Sequence, residues 1–216
     1  IAFLKLIGNR YDSVSLKRIV KRLPTGVGDK AFEAIESNEY KRIGIQLVDY
    51  IDDNAVLYGE KYGLLINEFE NDNIVVFDVE STGVDITEDE IIQIAAIKIN
   101  KEGVVTESFE KFLKNKKSVR DSQHVHGFTD EYLVENGEDK EKVLKEFGEF
   151  TKDCLIVGHN VQFDINILTS ELSRLNLGKH KFKGFFDTLD IYKRFHPNTP
   201  NHKLDTLSEI FKTNHK

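Results

Sequence analysis

The chain has 216 residues, of which 39% are hydrophobic and 31% charged, with three prolines and one cysteine. That composition excludes collagen-like, low-complexity and disordered polypeptides, and the length allows a sizeable core in one or two domains. Thirty basic against 37 acidic side chains give a net charge of −7, so any contact with nucleic acid must be local rather than carried by bulk charge.

The lone Cys154 allows no internal disulfide and no cysteine-based zinc site, which points to a reducing, cytoplasmic compartment. No apolar run approaches the ~20 residues of a membrane-spanning helix, so no membrane association is expected. The chain opens at Ile1 inside an apolar helical pattern and contains no methionine. Both features are expected of an excerpt from a longer protein.

Residues 1–23 read as two helices: Ala2, Phe3, Leu4, Leu6 and Ile7 form one apolar patch, and Val14, Leu16, Ile19, Val20 and Leu23 recur at helical spacing. The second helix carries Lys17, Arg18, Lys21 and Arg22 on its other face. Pro24-Thr25-Gly26-Val27-Gly28 breaks it, and Asp29 is placed to cap a third helix through Phe32 and Ile35. A helical pattern continues over 40–69, through Ile43, Ile45, Leu47 and Val48 to Leu64, Leu65 and Phe69. The period then changes. Ile74 to Glu80 reads as a buried strand, Glu90 to Ile99 as a second and Val104 to Leu113 as a third, turned at Asn100 to Gly103. An amphipathic helix over 138–153, a short strand at Leu155 to Val157, a helix over Phe163 to Leu175, a strand at Phe185-Phe186 and helices through Ile191-Tyr192 and Leu204 to Phe211 complete an α/β pattern. The expected organisation is a helical fragment over 1–58, a linker over 59–72 and an α/β domain over 73–216.

Residues i and i+2 of a strand project to one face, so Asp78 and Glu80 point together at the end of an apolar run. Adjacent carboxylates repel; either one keeps its proton or a divalent cation coordinates both. A D-x-E alone is also compatible with a solvated strand end. Its context is more specific, because Ser81-Thr82-Gly83 follows as a glycine turn. Gly158-His159-Asn160-Val161-Gln162-Phe163-Asp164 then sets a third carboxylate at a helix opening just past a short strand.

F-D-V-E-S-T-G at 77–83, H-V-H-G-F-T-D-E at 124–131 and G-H-N-V-Q-F-D at 158–164 together resemble the ordered motifs of DnaQ-like 3′–5′ exonucleases of the DEDDh type. The resemblance implies an RNase H-like fold: a mixed five-stranded sheet with its first three strands antiparallel and helices on both faces, here preceded by a small all-helical subdomain. It implies phosphodiester hydrolysis at DNA 3′ ends, single-stranded or frayed, by two Mg²⁺ or Mn²⁺ ions held by Asp78, Glu80 and Asp164. Thr82 and Gly83 would seat the terminal nucleotide through backbone contacts, and Asn160 and Phe163 would support the site or stack on the strand end. The family's last motif is H-x-x-x-x-D. His196 and His202 do not fit it, since Asp205 follows His202 at the wrong spacing, whereas His215 does. His215 is the expected general base, and the fourth carboxylate is expected beyond Lys216.

Residues 1–38 resemble the helical pair and glycine turn of UvrD/PcrA-like superfamily 1 helicases, with Thr25 in place of the usual arginine. Gly26, Gly28 and Lys30 would then contact a DNA backbone phosphate. The G-x-x-x-x-G-K-(S/T) phosphate loop is not satisfied, so ATP would bind only elsewhere in a parent chain covalently continuous with helicase domains. Two other readings stay open: a proofreading exonuclease of a DNA polymerase, and a catalytically silent module docking DNA or a partner. Lys111, Lys114, Lys116, Lys117 and Arg120 form a basic cluster that either steers a phosphate backbone or is simply solvated.

Overall fold

The computed structural model describes residues 1–9, 12–24, 26–38, 46–52, 57 and 61–213. Thr25, Ile43, Ile45 and His215 lie outside the described residues. The chain divides into two compact units, one formed by 1–66 with 192–199 and the other by 67–191 with 200–216.

In the first unit, α1 (Ala2–Gly8), α2 (Ser13–Val20), α3 (Asp29–Ile35) and a 3₁₀ turn (Leu47–Ile51) surround a small core of Leu16, Phe32, Leu47 and Val48. Asp12 caps α2 by accepting the Ser15 amide at 2.9 Å. Asp29 does not act as the expected cap. Gly28, in extended conformation, occupies that position, and the Asp29 carboxylate one residue inside pairs with Lys21 instead. Within the helical pattern expected over 40–69, the described residues 47–51 form a 3₁₀ turn. The 3₁₀ turn is opened by a reciprocal Gln46–Asp49 box and closed by extended backbone at Asp52, and α4 (Gly63–Glu70) is helical; residues 53–56 and 58–60 lie outside the described residues. Arg194 grips Asp49 with one guanidinium nitrogen at 2.9 and 3.0 Å from the two carboxylate oxygens.

The second unit is built on one five-stranded sheet in the order β3-β2-β1-β4-β5. Its strands are β1 (Ile74–Ser81), β2 (Ile91–Ile99), β3 (Val105–Phe112), β4 (Leu155–Gly158) and β5 (Gly184–Asp187). The first three form the expected antiparallel meander, and β4 and β5 add parallel to β1. Two short helices, α5 (Gln123–His126) and α6 (Asp130–Asn136), precede α7 (Lys140–Phe150). They had no periodic signal because each is only one or two turns long; Leu133 and Phe128 hold them on Ile92, Val119 and Phe112. The main core joins Val75, Phe77 and Val79 of β1 and Ile94 and Ala96 of β2 to α7 and to α8 (Val161–Arg174), through Phe147, Ile165, Leu168 and others. Alternation along β1 therefore commits Phe77 and Val79 to this core and turns Asp78 and Glu80 to the opposite face. Helices α9 (Thr188–Phe195) and α10 (Leu204–Phe211) follow β5. Among the described residues no helix is long and apolar enough to cross a membrane.

Candidate active site

The site is placed by a difference in strand length. β4 pairs with β1 only at Ile74, Val75 and Val76, while β1 runs on to Ser81. On the edge that β4 leaves uncovered, the Val79 amide donates to Oδ1 of Asp164 at 3.3 Å. Asp164 lies in the first turn of α8 and is almost fully buried, whereas Asp78 is exposed and Glu80 half-buried. The turn from β4 to α8 is built for this approach. A Cβ on Gly158 would lie 2.7 Å from the Val161 side chain and 3.0 Å from the Phe77 carbonyl. Asn160 takes a left-handed conformation at φ 61°, which asparagine tolerates better than most residues. Phe163, half-buried, packs against the main core.

Two carboxyls of this group are held above their ordinary range. Burial pushes Asp164 up to about 7, with the negative charge of Asp78 as the next cause and that of Asp187 as a smaller one, against the opposing Val79 hydrogen bond. Burial also raises Glu80, again with Asp78 beside it. Neighbouring acids behave in the opposite way. Burial alone would raise Asp89 and Glu90, but Lys117, Lys140 and backbone amides outweigh it and hold both below the usual carboxylate range. Glu68 is likewise lowered, its burial outweighed by Lys183, Asn73 and Asn67. The fold thus satisfies its structural carboxylates and leaves Asp164 and Glu80 perturbed, the pattern expected of a functional group of acids.

An oxygen-only set of carboxylates suits a hard divalent cation. Among the described residues, however, no group of three His, Cys, Asp or Glu side chains is closed into a metal-ligating cluster. The donor chemistry fits; Asp78 acts electrostatically on both Glu80 and Asp164, without the three forming a finished cage.

The glycine turn after β1 is more occupied than its sequence suggested. Thr82 is buried; its hydroxyl donates to Asp89 Oδ1 at 2.8 Å and accepts the Glu90 amide at 3.0 Å, and its own amide donates to the Glu90 carbonyl at 3.0 Å. A Cβ on Gly83 would sit 2.4 Å from Asp89 Oδ2, so the glycine makes room for an internal carboxylate. The Gly83 carbonyl accepts from Ser81 Oγ at 2.6 Å.

Two residues with a part in the site were not singled out by their sequence as site residues. Asp187, at the end of β5, accepts the amides of Asn160 and Leu189, each at 2.8 Å, so it caps α9 and also fixes the turn before Asp164. His159 bridges to Thr188 and to the His202 carbonyl. The signal for Asp187 was the Asp187-Thr188-Leu189 sequence, which reads as a helix start with the aspartate as its cap. In the basic cluster, Lys111 pairs with Glu138 and Lys117 with Asp89, which neutralises both locally. Gly26, Gly28 and Lys30 are all exposed in the other unit, Gly26 at φ 72° and Gly28 as the cap of α3.

The Exonuclease (RNase_T) family model matches residues 75–216. The chain belongs to this exonuclease family. Its domain is of the DnaQ-like type, a group that generally uses divalent metal ions. The exonuclease is 32% identical over 177 residues to the PolC-type DNA polymerase III of Latilactobacillus sakei subsp. sakei, which covers 81% of this chain and 12% of that protein. The PolC-type DNA polymerase III of Caldanaerobacter subterraneus subsp. tengcongensis is 34% identical over 212 residues, 94% of this chain and 14% of its own length. The exonuclease chain therefore spans about an eighth of these relatives. Among solved structures, E. coli exonuclease I in complex with a dT13 oligonucleotide superposes with a TM-score of 0.57 at 19% identity, covering 67% of this chain and 36% of that one. The likeness establishes the RNase H-like α/β architecture, a mixed five-stranded sheet flanked by helices.

Proposed function

We propose that this exonuclease removes nucleotides from DNA 3′ ends by metal-dependent phosphodiester hydrolysis in the cytoplasm. The observation that carries the reading is that Asp78 acts electrostatically on both Glu80 and Asp164, which burial and that charge hold above the usual carboxylate range, while the structural acids Asp89 and Glu68 are held below it. Two Mg²⁺ or Mn²⁺ ions bound there would supply charge neutralisation at the phosphate and an activated water. Asp78 reaches both other carboxylates electrostatically and is the natural bridging ligand; Glu80 and Asp164 would each complete one side. The Thr82 carbonyl and Gly83 backbone would orient the terminal nucleotide, and Asn160 and Phe163 would hold the turn that presents Asp164. His215, near pKa 6.5 when unperturbed, would take the proton from the attacking water.

The helical segment is better read with the polymerase relatives than with helicases. The relative that covers 94% of the chain takes in most of that segment, whereas the helicase expectation rests on a glycine turn and a basic helix. The exonuclease would then trim mismatched 3′ ends beside a polymerase, with no ATP requirement of its own. A silent docking module would have no use for two carboxyls, Glu80 and Asp164, raised beside Asp78.

Asp78→Ala tests the reading. Mn²⁺-dependent shortening of a 5′-labelled single-stranded oligonucleotide should fall by roughly 10²-fold or more, with the melting temperature kept within a few degrees of the native one. Full activity with intact metal dependence would overturn it.

A further inference from the structure

We propose that His159 is a positioning residue that ties the entry of α10 to the turn presenting Asp164, an inference that rests on the exonuclease reading of the site. His159 Nε2 lies 2.8 Å from the carbonyl oxygen of His202. A carbonyl only accepts, so Nε2 carries the proton and donates. On the other side of the ring, Nδ1 lies 3.0 Å from Thr188 Oγ1, which in turn lies 3.1 Å from the Gly158 carbonyl. One imidazole thus joins three pieces of chain: the end of β4, the first residue of α9 and the segment entering α10.

The turn is anchored twice in the same place. Asn160, next to His159, gives its amide to Asp187, next to Thr188, and Asp164 follows within the first turn of α8. On the other branch, His202 stands two residues before Leu204, where α10 begins. The Lys203 amide donates to Asn201 Oδ1 at 2.9 Å and Leu207 is buried, so the entry segment has its own local order. His159 connects that order to the carboxylate turn. From α10 the chain leads to His215, outside the described residues. Within G-H-N-V-Q-F-D, the asparagine, phenylalanine and aspartate have roles at the turn; the bond to His202 supplies one for the histidine, through position rather than contact with substrate.

The donor matters at one place only. Glutamine sets an amide nitrogen near the Nε2 position, whereas asparagine reaches only about as far as Nδ1 and cannot make the His202 bond. The test compares native protein with H159Q, H159N and H159A in the full-length polypeptide that carries this sequence, reading amide hydrogen exchange across 204–208 and steady-state trimming of an oligonucleotide with Mn²⁺. In H159N and H159A, exchange in α10 should quicken by about tenfold and kcat should fall by about tenfold, with KM moved less than about twofold. H159Q should keep both within about twofold of native. Native α10 exchange or native kcat in H159N overturns the proposal, as does an H159Q that behaves like H159A or does not fold. If the native protein fails to trim at all, the exonuclease reading falls on that result, and the exchange comparison still decides whether His159 holds α10.

Discussion

The Val79 amide donates to Oδ1 of Asp164 across 85 positions of sequence, at 3.3 Å, on the edge of β1 that β4 leaves uncovered. This bond and one from Asp164's own amide oppose burial and the charge of Asp78, and they lose to them: Asp164 is pushed up to about 7. Two consequences of that imbalance, and two of the loop after β1, are measurable.

Asp164 costs the metal-free protein stability when it ionises. Its folded value lies above the ordinary unfolded one near 3.9, so the native state holds the proton more tightly and stability falls as pH rises from about 4 to about 7. Asp164→Asn should therefore stabilise the metal-free protein by a few kcal/mol, on the order of 2–4, at pH 8. The gain should shrink steadily as pH falls toward 4. Urea midpoints of both proteins in EDTA across pH 4.5–8.5 check this; a gap independent of pH would contradict it.

Metal binding should be linked to protons for the same reason. A cation needs the carboxylate form of Asp164, which at pH 6 is the minor species. Mn²⁺ affinity should weaken by about tenfold between pH 8 and pH 6. Calorimetry in two buffers of different ionisation enthalpy should show proton release at pH 6 and little at pH 8.

Arg174 fastens the loop after β1 from the far end of α8. Its guanidinium donates to the Thr87 carbonyl at 2.8 Å, to the Asp89 carbonyl at 2.6 Å and to the buried Glu171, which also pairs with Lys140 at 2.5 Å. Arg174→Ala should cost about 2–4 kcal/mol by leaving these acceptors partly unpaired. It should also raise KM for the 3′ end more than it lowers kcat, since Thr82 and Gly83 belong to this loop. A denaturant melt and a kinetic series together separate the two effects.

Gly83→Ala forces a methyl group to within 2.4 Å of Asp89 Oδ2. The expected cost is about 1–3 kcal/mol. Because the clash is with Asp89 specifically, the variant Asp89→Gly, although itself destabilised by loss of the Lys117 and Thr82 bonds, should leave Gly83→Ala nearly neutral in its background. A double-mutant cycle on melting midpoints measures that coupling.

Much of this protein was written locally in its residues. The β-branched run I-V-V-F-D-V-E and the spacing of apolar positions in 138–153 and 163–175 determined a strand and two helices to within a few residues, and with them the shared face of Asp78 and Glu80, because both periods depend only on near neighbours along the chain. The ordered motifs likewise named Asp78, Glu80 and Asp164 and implied the α/β sheet. The protonation of Asp164, the capture of Thr82 by Asp89 and Glu90, the double duty of Asp187 and the reach of His159 to His202 were decided only by tertiary structure. Each depends on burial or on a partner several to tens of residues away, and the desolvation and hydrogen bonding that set such states exist only once the sheet and its helices have closed around them.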